Sequence, residues 1–183
     1  VQKEIENLTP LLKPKKPFVV LMGGAKVHDK LPLIRSLAKR ADKLLIGSAG
    51  MFTFLKAQGI EVGHTLVDDK ALRACRSLLK KYPKKLLIGH DCRTLEGKVV
   101  RTRKSTEIPS SANAMDTGPS TMATFAKHIA KAKTIFWNGP LGVFEDPRFA
   151  KGTMTAARIL AKSSGTTIIG GGDSGAAVSK ARV

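Results

Sequence analysis

Three hydrophobic runs in this chain each stop abruptly in glycine: Phe18-Val19-Val20-Leu21-Met22 into Gly23-Gly24, Thr134-Ile135-Phe136-Trp137-Asn138 into Gly139, and Thr166-Thr167-Ile168-Ile169 into Gly170-Gly171-Gly172. Near-continuous apolar runs mark strands covered on both faces, which means a parallel sheet with helices on either side. Glycine at the end of such a strand lets the main chain come within hydrogen-bonding distance of a ligand. The three runs therefore point to one crevice at the carboxyl edge of one sheet. Lys26 and Lys30, four apart where the first strand gives way to a helix, make that end a phosphate cradle.

Helical periodicity alternates with the strands. Asp29 is expected to cap the first helix, with Leu33, Ile34 and Leu37 inward and Lys39 and Arg40 near its end. A strand over 43–46 leads through Gly47-Ser48-Ala49-Gly50 into an apolar helix over 51–57 that Gly59 stops. Asp68 and Asp69 open a helix that buries Leu72, Cys75, Leu78 and Leu79, and a third strand spans 85–88. Residues 94–106 alternate in short steps around Gly97 and read as an antiparallel ribbon, followed by a polar loop over 109–116. A helix over 119–131, a strand over 133–137, an Asp146-Pro147 start to a helix reaching Lys162, a strand over 166–169 and a helix capped by Asp173 and Ser174 complete the order. The expected fold is α/β: a doubly wound parallel sheet with helices on both faces, a Rossmann-like three-layer αβα, with a small antiparallel ribbon on one side. Residues 1–16, where the spacing of Ile5, Leu8, Leu11 and Leu12 is helical but Pro10 and Pro14 interrupt it, read as an interdomain connector, and 17–183 as a single domain.

The chain carries 32 Lys and Arg against 14 Asp and Glu, a net +18 spread over many short clusters. Such a surplus steers anions, phosphorylated ligands among them. A nucleic-acid reader interleaves aromatics with its basic residues, and only Tyr82 stands near a basic cluster, which argues against specific nucleic-acid binding. No apolar run reaches the roughly 20 residues of a membrane helix, so no membrane partner is expected. Cys75 and Cys92 are too few for a disulfide scaffold or a metal quartet and read as reduced thiols, and the four histidines show no ligand spacing.

Gly23-Gly24-Ala25-Lys26 is neither the phosphate loop ending in lysine and hydroxyl nor the three-glycine dinucleotide fingerprint. Taken alone, it is equally an ordinary turn with two surface lysines. Asn138-Gly139-Pro140-Leu141-Gly142-Val143-Phe144-Glu145 adds a tight turn and a carboxylate suited to ribose hydroxyls, or else a packing turn. Gly170 to Ser174 sets free amides and Asp173 at a helix start, where amides take phosphate and the carboxylate can hold Mg²⁺.

Together with Asp116-Thr117-Gly118-Pro119, these motifs resemble, in order and spacing, the C-terminal nucleotide-binding domain of the phosphoglycerate kinase family, over about residues 2–178. The resemblance implies Mg²⁺ as cofactor and ADP or ATP as substrate, with Lys26 as the catalytic residue reaching the transferred phosphoryl group, Lys30 on the α-phosphate and Asp173 holding the metal. It also implies that Gly24, Ala25, Gly47 and Ser48 line the site and that Asn138 and Pro140 contact the nucleotide. Gly142 and Val143 would flank the adenosine, Glu145 would bind ribose, and Gly171, Gly172 and Ser174 would face the phosphates. Where the family usually has three glycines beside adenine, this chain has Gly47-Ser48-Ala49. In the family, 3-phosphoglycerate or 1,3-bisphosphoglycerate is bound by an N-terminal domain, for which this chain has no counterpart, as it has none for the family's last glycine-rich loop and helix. The implied protein is a monomeric glycolytic enzyme of the cytoplasm or, given the charge, of a glycosome, and this chain alone would bind nucleotide without efficient catalysis. The rival expectations are a non-catalytic nucleotide-sensing or basic scaffold module on the same fold, and a polyanion binder.

Overall fold

The structure, a computed structural model, describes residues 11–181. Most of the expected connector, residues 1–10, lies outside the described residues, and Leu11 beyond it is buried against the core. In chain order, β1 (Phe18–Met22) leads to α1 (Val27–Arg40), β2 (Lys43–Ile46) to α2 (Ser48–Ala57), and a short turn to α3 (Leu72–Lys81) and β3 (Leu86–Ile88). β4 (Asp91–Glu96), β5 (Val99–Lys104) and β6 (Asn113–Thr117) follow, then α4 (Pro119–Ile129), β7 (Thr134–Asn138), α5 (Lys151–Ala161), β8 (Thr166–Gly170) and α6 (Gly172–Ala181).

The main sheet is parallel throughout, in the order β3-β2-β1-β7-β8. From β1 the chain winds outward to β3, then returns and crosses to the other side of β1. The reversal opens a crevice between the carboxyl ends of β1 and β7, where Met22 stands beside Asn138. All five residues of β1 are buried, because alternate side chains feed two different cores. Phe18, Val20, Leu44, Ile46 and Phe136 pack with α1 and α3, whereas Val19, Leu21, Leu45, Ile135 and Trp137 pack with α4, α5 and α6. Burying each of these large side chains contributes about 1.5–3 kcal/mol. The expected three-layer αβα fold is present.

β4, β5 and β6 form a separate antiparallel sheet in the order β5-β4-β6. It packs on α2, where Met51, Phe52 and Leu55 meet Cys92, Ile108 and Ala114. The hairpin turns at Gly97, with φ 60°. The expected polar loop over 109–116 is corrected at its end: Asn113–Thr117 is the third strand of this sheet, paired with β4.

Three caps also differ from expectation. Asp29 lies inside the first turn of α1, and the carboxylate that receives an N-terminal amide of α1 is Asp68, whose Oδ2 accepts the His28 N–H at 2.8 Å. Asp173 and Ser174 lie within the first turn of α6, which begins at Gly172. Asp146 does cap, accepting the Arg148 N–H at 2.9 Å, but on a 3-10 turn (Pro147–Phe149) that precedes α5. Gly59, with φ 84°, ends α2 as expected: its N–H and that of Ile60 return to the Lys56 and Leu55 carbonyls.

Candidate functional site

The ends of β1 and β7 are stitched together. Gly23 N–H donates to the Asn138 carbonyl and Gly24 N–H to that of Pro140, both at 2.9 Å. A Cβ at Gly23 would stand 2.1 Å from the Pro140 oxygen, so glycine there is required by the protein's own opposing turn. Gly24 and Gly139, with φ of 87° and 88°, complete the two turns in a region open to glycine at little cost.

A cavity of about 830 Å³ opens above this floor. At one end it is lined by Gly24, Ala25, Lys26, Asp29, Lys30 and Asp173. Lys26 is exposed at the start of α1. Lys30 is half-buried and donates from Nζ to the Gly23 carbonyl at 2.7 Å. Burial lowers its pKa below the ordinary lysine value, and the Asp173 charge pulls the other way. α1 and α6 both begin at this end; the Val27 and His28 amides of α1 are taken by the Ala25 carbonyl and Asp68, so it is the start of α6 whose amides and dipole favour an anion. At the other end stand Ser48, Pro140, Gly142, Val143 and Glu145. The small sheet and the loop before α3 close that side with Met115, Leu95 and Leu66, apolar walls for which the sequence offered no signal beyond the alternation of the ribbon.

Gly47, Asn138, Gly171, Gly172 and Ser174 do not line this cavity. A Cβ at Gly47 would stand 2.8 Å from Thr117 Oγ1, so that glycine serves a close approach of chain to chain. Asn138 ends β7 half-buried, and Gly171, with φ 90°, turns the chain from β8 into α6 beside the Asn138 side chain. Gly172 opens α6, exposed. Ser174 is fully buried, and its Oγ accepts the Gly139 N–H at 2.7 Å.

Two groups beside the cavity carry strain or charge. Ser48 has φ 57°, the left-handed region that ordinary side chains avoid, and its N–H donates to Thr117 Oγ1 at 2.9 Å. Asp116 is fully buried on β6. Its Oδ2 accepts the Gly152 N–H at 3.0 Å, while Oδ1 has no partner among the described residues. Burial pushes its carboxyl up to about 7, against the downward pull of the Gly152, Thr117 and Lys151 amides and of Arg93.

No cluster of three His, Cys, Asp or Glu among the described residues could hold a metal by itself. Asp173 lies exposed on the cavity wall. Asp29 at the same end pairs with the His28 ring at 2.9 Å, which leaves Asp173 beside the two lysines, and that set suits a hard cation arriving with phosphate oxygens, as Mg²⁺ does with a nucleotide. The donor set therefore fits that ion. No helix among the described residues is long and apolar enough to cross a membrane.

A model of the phosphoglycerate kinase family matches residues 1–183. A phosphoglycerate kinase of Rubrobacter xylanophilus is 46% identical over 185 residues, a match covering 98% of this chain and 47% of that protein. The solved phosphoglycerate kinase of Coxiella burnetii superposes with a TM-score of 0.93 at 36% identity, over 99% of this chain and 49% of that one. That of Pyrococcus horikoshii superposes at 0.87 and 25% identity, over 98% and 48%. The chain thus spans about half the length of the relatives it matches, and with a family model covering it from end to end, it belongs to the phosphoglycerate kinase family.

Proposed function

We propose that this chain is the C-terminal, nucleotide-binding half of a cytoplasmic phosphoglycerate kinase and that Mg·ADP or Mg·ATP occupies the crevice between β1 and β7. One observation carries the reading: Lys26, Lys30 and Asp173, with Asp29 and Glu145 also on the wall, meet the N-terminus of α6 in a single cavity at the switch point of a parallel sheet. Its phosphate end is polar and its other end is walled by Met115, Leu95 and Val143, as a phosphorylated nucleoside requires.

In this reading Lys26, exposed and free to extend, meets the phosphoryl group in transfer. Lys30 neutralises a phosphate nearer the nucleoside, held at its station by the Gly23 carbonyl. Glu145 accepts from ribose hydroxyls, and Gly142 and Val143 pack on the base. Asp173 holds Mg²⁺, which when bound neutralises charge on the phosphates during transfer. The acyl phosphate of 1,3-bisphosphoglycerate is presented by the other half of the complete enzyme. Phosphoryl transfer depends on positioning and on charge gathered from both sides, so this half alone binds nucleotide and transfers poorly. Ser48, which lines the nucleoside end where the family usually has glycine, favours a second reading, a nucleotide-sensing module without catalysis.

Calorimetric titration of the chain with Mg·ADP and Mg·ATP tests the proposal. Saturable binding with micromolar-to-millimolar affinity is expected, and the absence of saturation at millimolar nucleotide rejects it. Transfer activity restored on adding the complementary half separates kinase from sensor.

A further inference from the structure

Thr117 does not line the cavity, yet both walls of its nucleoside end are tied to it. It ends β6 with 1% of its surface exposed. Its hydroxyl accepts the Ser48 N–H at 2.9 Å on one side and donates to the Leu141 carbonyl at 2.8 Å on the other. Its own N–H donates to the same carbonyl at 2.9 Å, and two residues before it the Met115 carbonyl accepts the Val143 N–H at 2.9 Å. One side of the slot is the strained start of α2 at Ser48, and the other is the Leu141-Gly142-Val143 turn. A single hydroxyl therefore spans the gap between them from behind.

We propose that Thr117 is a positioning residue that sets the width of the nucleoside slot by fixing the Ser48 wall against the Leu141-Gly142-Val143 wall. The inference rests on the nucleotide reading of the site. A hydroxyl is required because one group must accept and donate at once, and no aliphatic side chain of the same shape does either. Without it the Ser48 N–H, buried at a helix start, loses its acceptor, and the left-handed turn loses what holds it in place. The phosphate end has ties of its own, from the Gly23 N–H to the Asn138 carbonyl and from the Gly139 N–H to Ser174 Oγ, and it meets the Ser48 wall where the Gly50 N–H donates to the Gly24 carbonyl at 2.9 Å. The Thr117 hydroxyl makes none of the phosphate-end bonds, and this makes the inference testable.

The test compares Thr117→Val, which keeps shape and removes the hydroxyl, with Thr117→Ser, which keeps the hydroxyl. AMP, Mg·ADP and tripolyphosphate are titrated into each full chain. Thr117→Val is expected to weaken AMP and ADP by the same factor, about tenfold for one buried hydrogen bond, and to leave tripolyphosphate unchanged. Thr117→Ser is expected to restore both. Equal weakening of all three ligands, or unchanged AMP affinity, overturns the inference.

Amide hydrogen exchange provides a second arm that needs no ligand. The amides of Ser48, Gly142 and Val143 are expected to exchange at least tenfold faster in Thr117→Val, and unchanged rates there overturn the inference. If the unmodified chain binds no nucleotide, the functional proposal fails, and exchange alone decides the role of Thr117. If Thr117→Val does not fold, the unmodified chain is read instead. Protection of the Ser48 amide at the level of the sheet core supports the tie, and exchange at the rate of a free helix start refutes it.

Discussion

Replacing Ser48 by glycine should stabilise the protein. Ser48 is the only non-glycine residue with positive φ among those described, at 57°. Left-handed backbone costs an ordinary residue roughly 1–2 kcal/mol, which glycine does not incur. Glycine in turn gives back about 0.5–1 kcal/mol through the greater freedom of the unfolded chain. The Ser48 N–H to Thr117 hydrogen bond belongs to the main chain and survives the exchange. The difference is a gain of about 0.5–1 kcal/mol, or a rise of about 1–4 °C in Tm for a chain of this size. Ser48→Ala is the control, because it removes the hydroxyl and keeps the strain. Calorimetric melting should rank Ser48→Gly above both the parent and Ser48→Ala. The side chain removed is one that lines the cavity, so Mg·ADP affinity should rise alongside. A Ser48→Gly melting point at or below that of Ser48→Ala would refute the strain argument.

Three further outcomes are expected. Lys26→Ala in the complete enzyme should lower turnover by about 3 kcal/mol, more than a hundredfold, as for loss of one transition-state charge donor, and unchanged turnover rejects that role. Asp116 has its folded pKa raised to about 7 from 3.8 by burial, so its contribution is fully present below about pH 4 and is lost as pH rises toward 7, a span on the order of 4 kcal/mol. Melting curves of Asp116→Asn should therefore gain on the parent across that window, and parallel curves would show that the carboxyl titrates normally. Cys75 and Cys92, buried and pushed up to about 12 by burial and by neighbouring Asp68 and Asp91, should resist alkylation at neutral pH until the protein unfolds.

The main sheet was legible because strands covered on both faces leave continuous apolar runs, and β1, β2 and β7 are such strands. β6 was not. Asn113–Thr117 buries Asp116 and Thr117, polar residues that read as loop until their partners are known. The cap of α1 was misassigned for a similar reason: Asp68 is forty residues away, and no local pattern announces an acceptor supplied by tertiary structure. At the site, glycines and small polar residues marked the right turns but not what each one meets. Ser174 and Gly47 read equally well as ligand contacts, and in the structure Ser174 holds the Gly139 amide while Gly47 makes room for Thr117. Lys26, Lys30 and Asp173 do line one cavity, as charge placed at the ends of strands suggested.

The buried Ser174 hydroxyl anchors the helix that carries Asp173 to the turn at Gly139, and the Lys30 ammonium is moored to the neighbouring turn at Gly23. Those two turns are joined in their turn by the Gly23 and Gly24 amides. Cation and anion are therefore mounted on one braced frame before any ligand arrives. Their separation is built in at folding, so a guest entering the crevice finds opposite charges already spaced, with little left to rearrange.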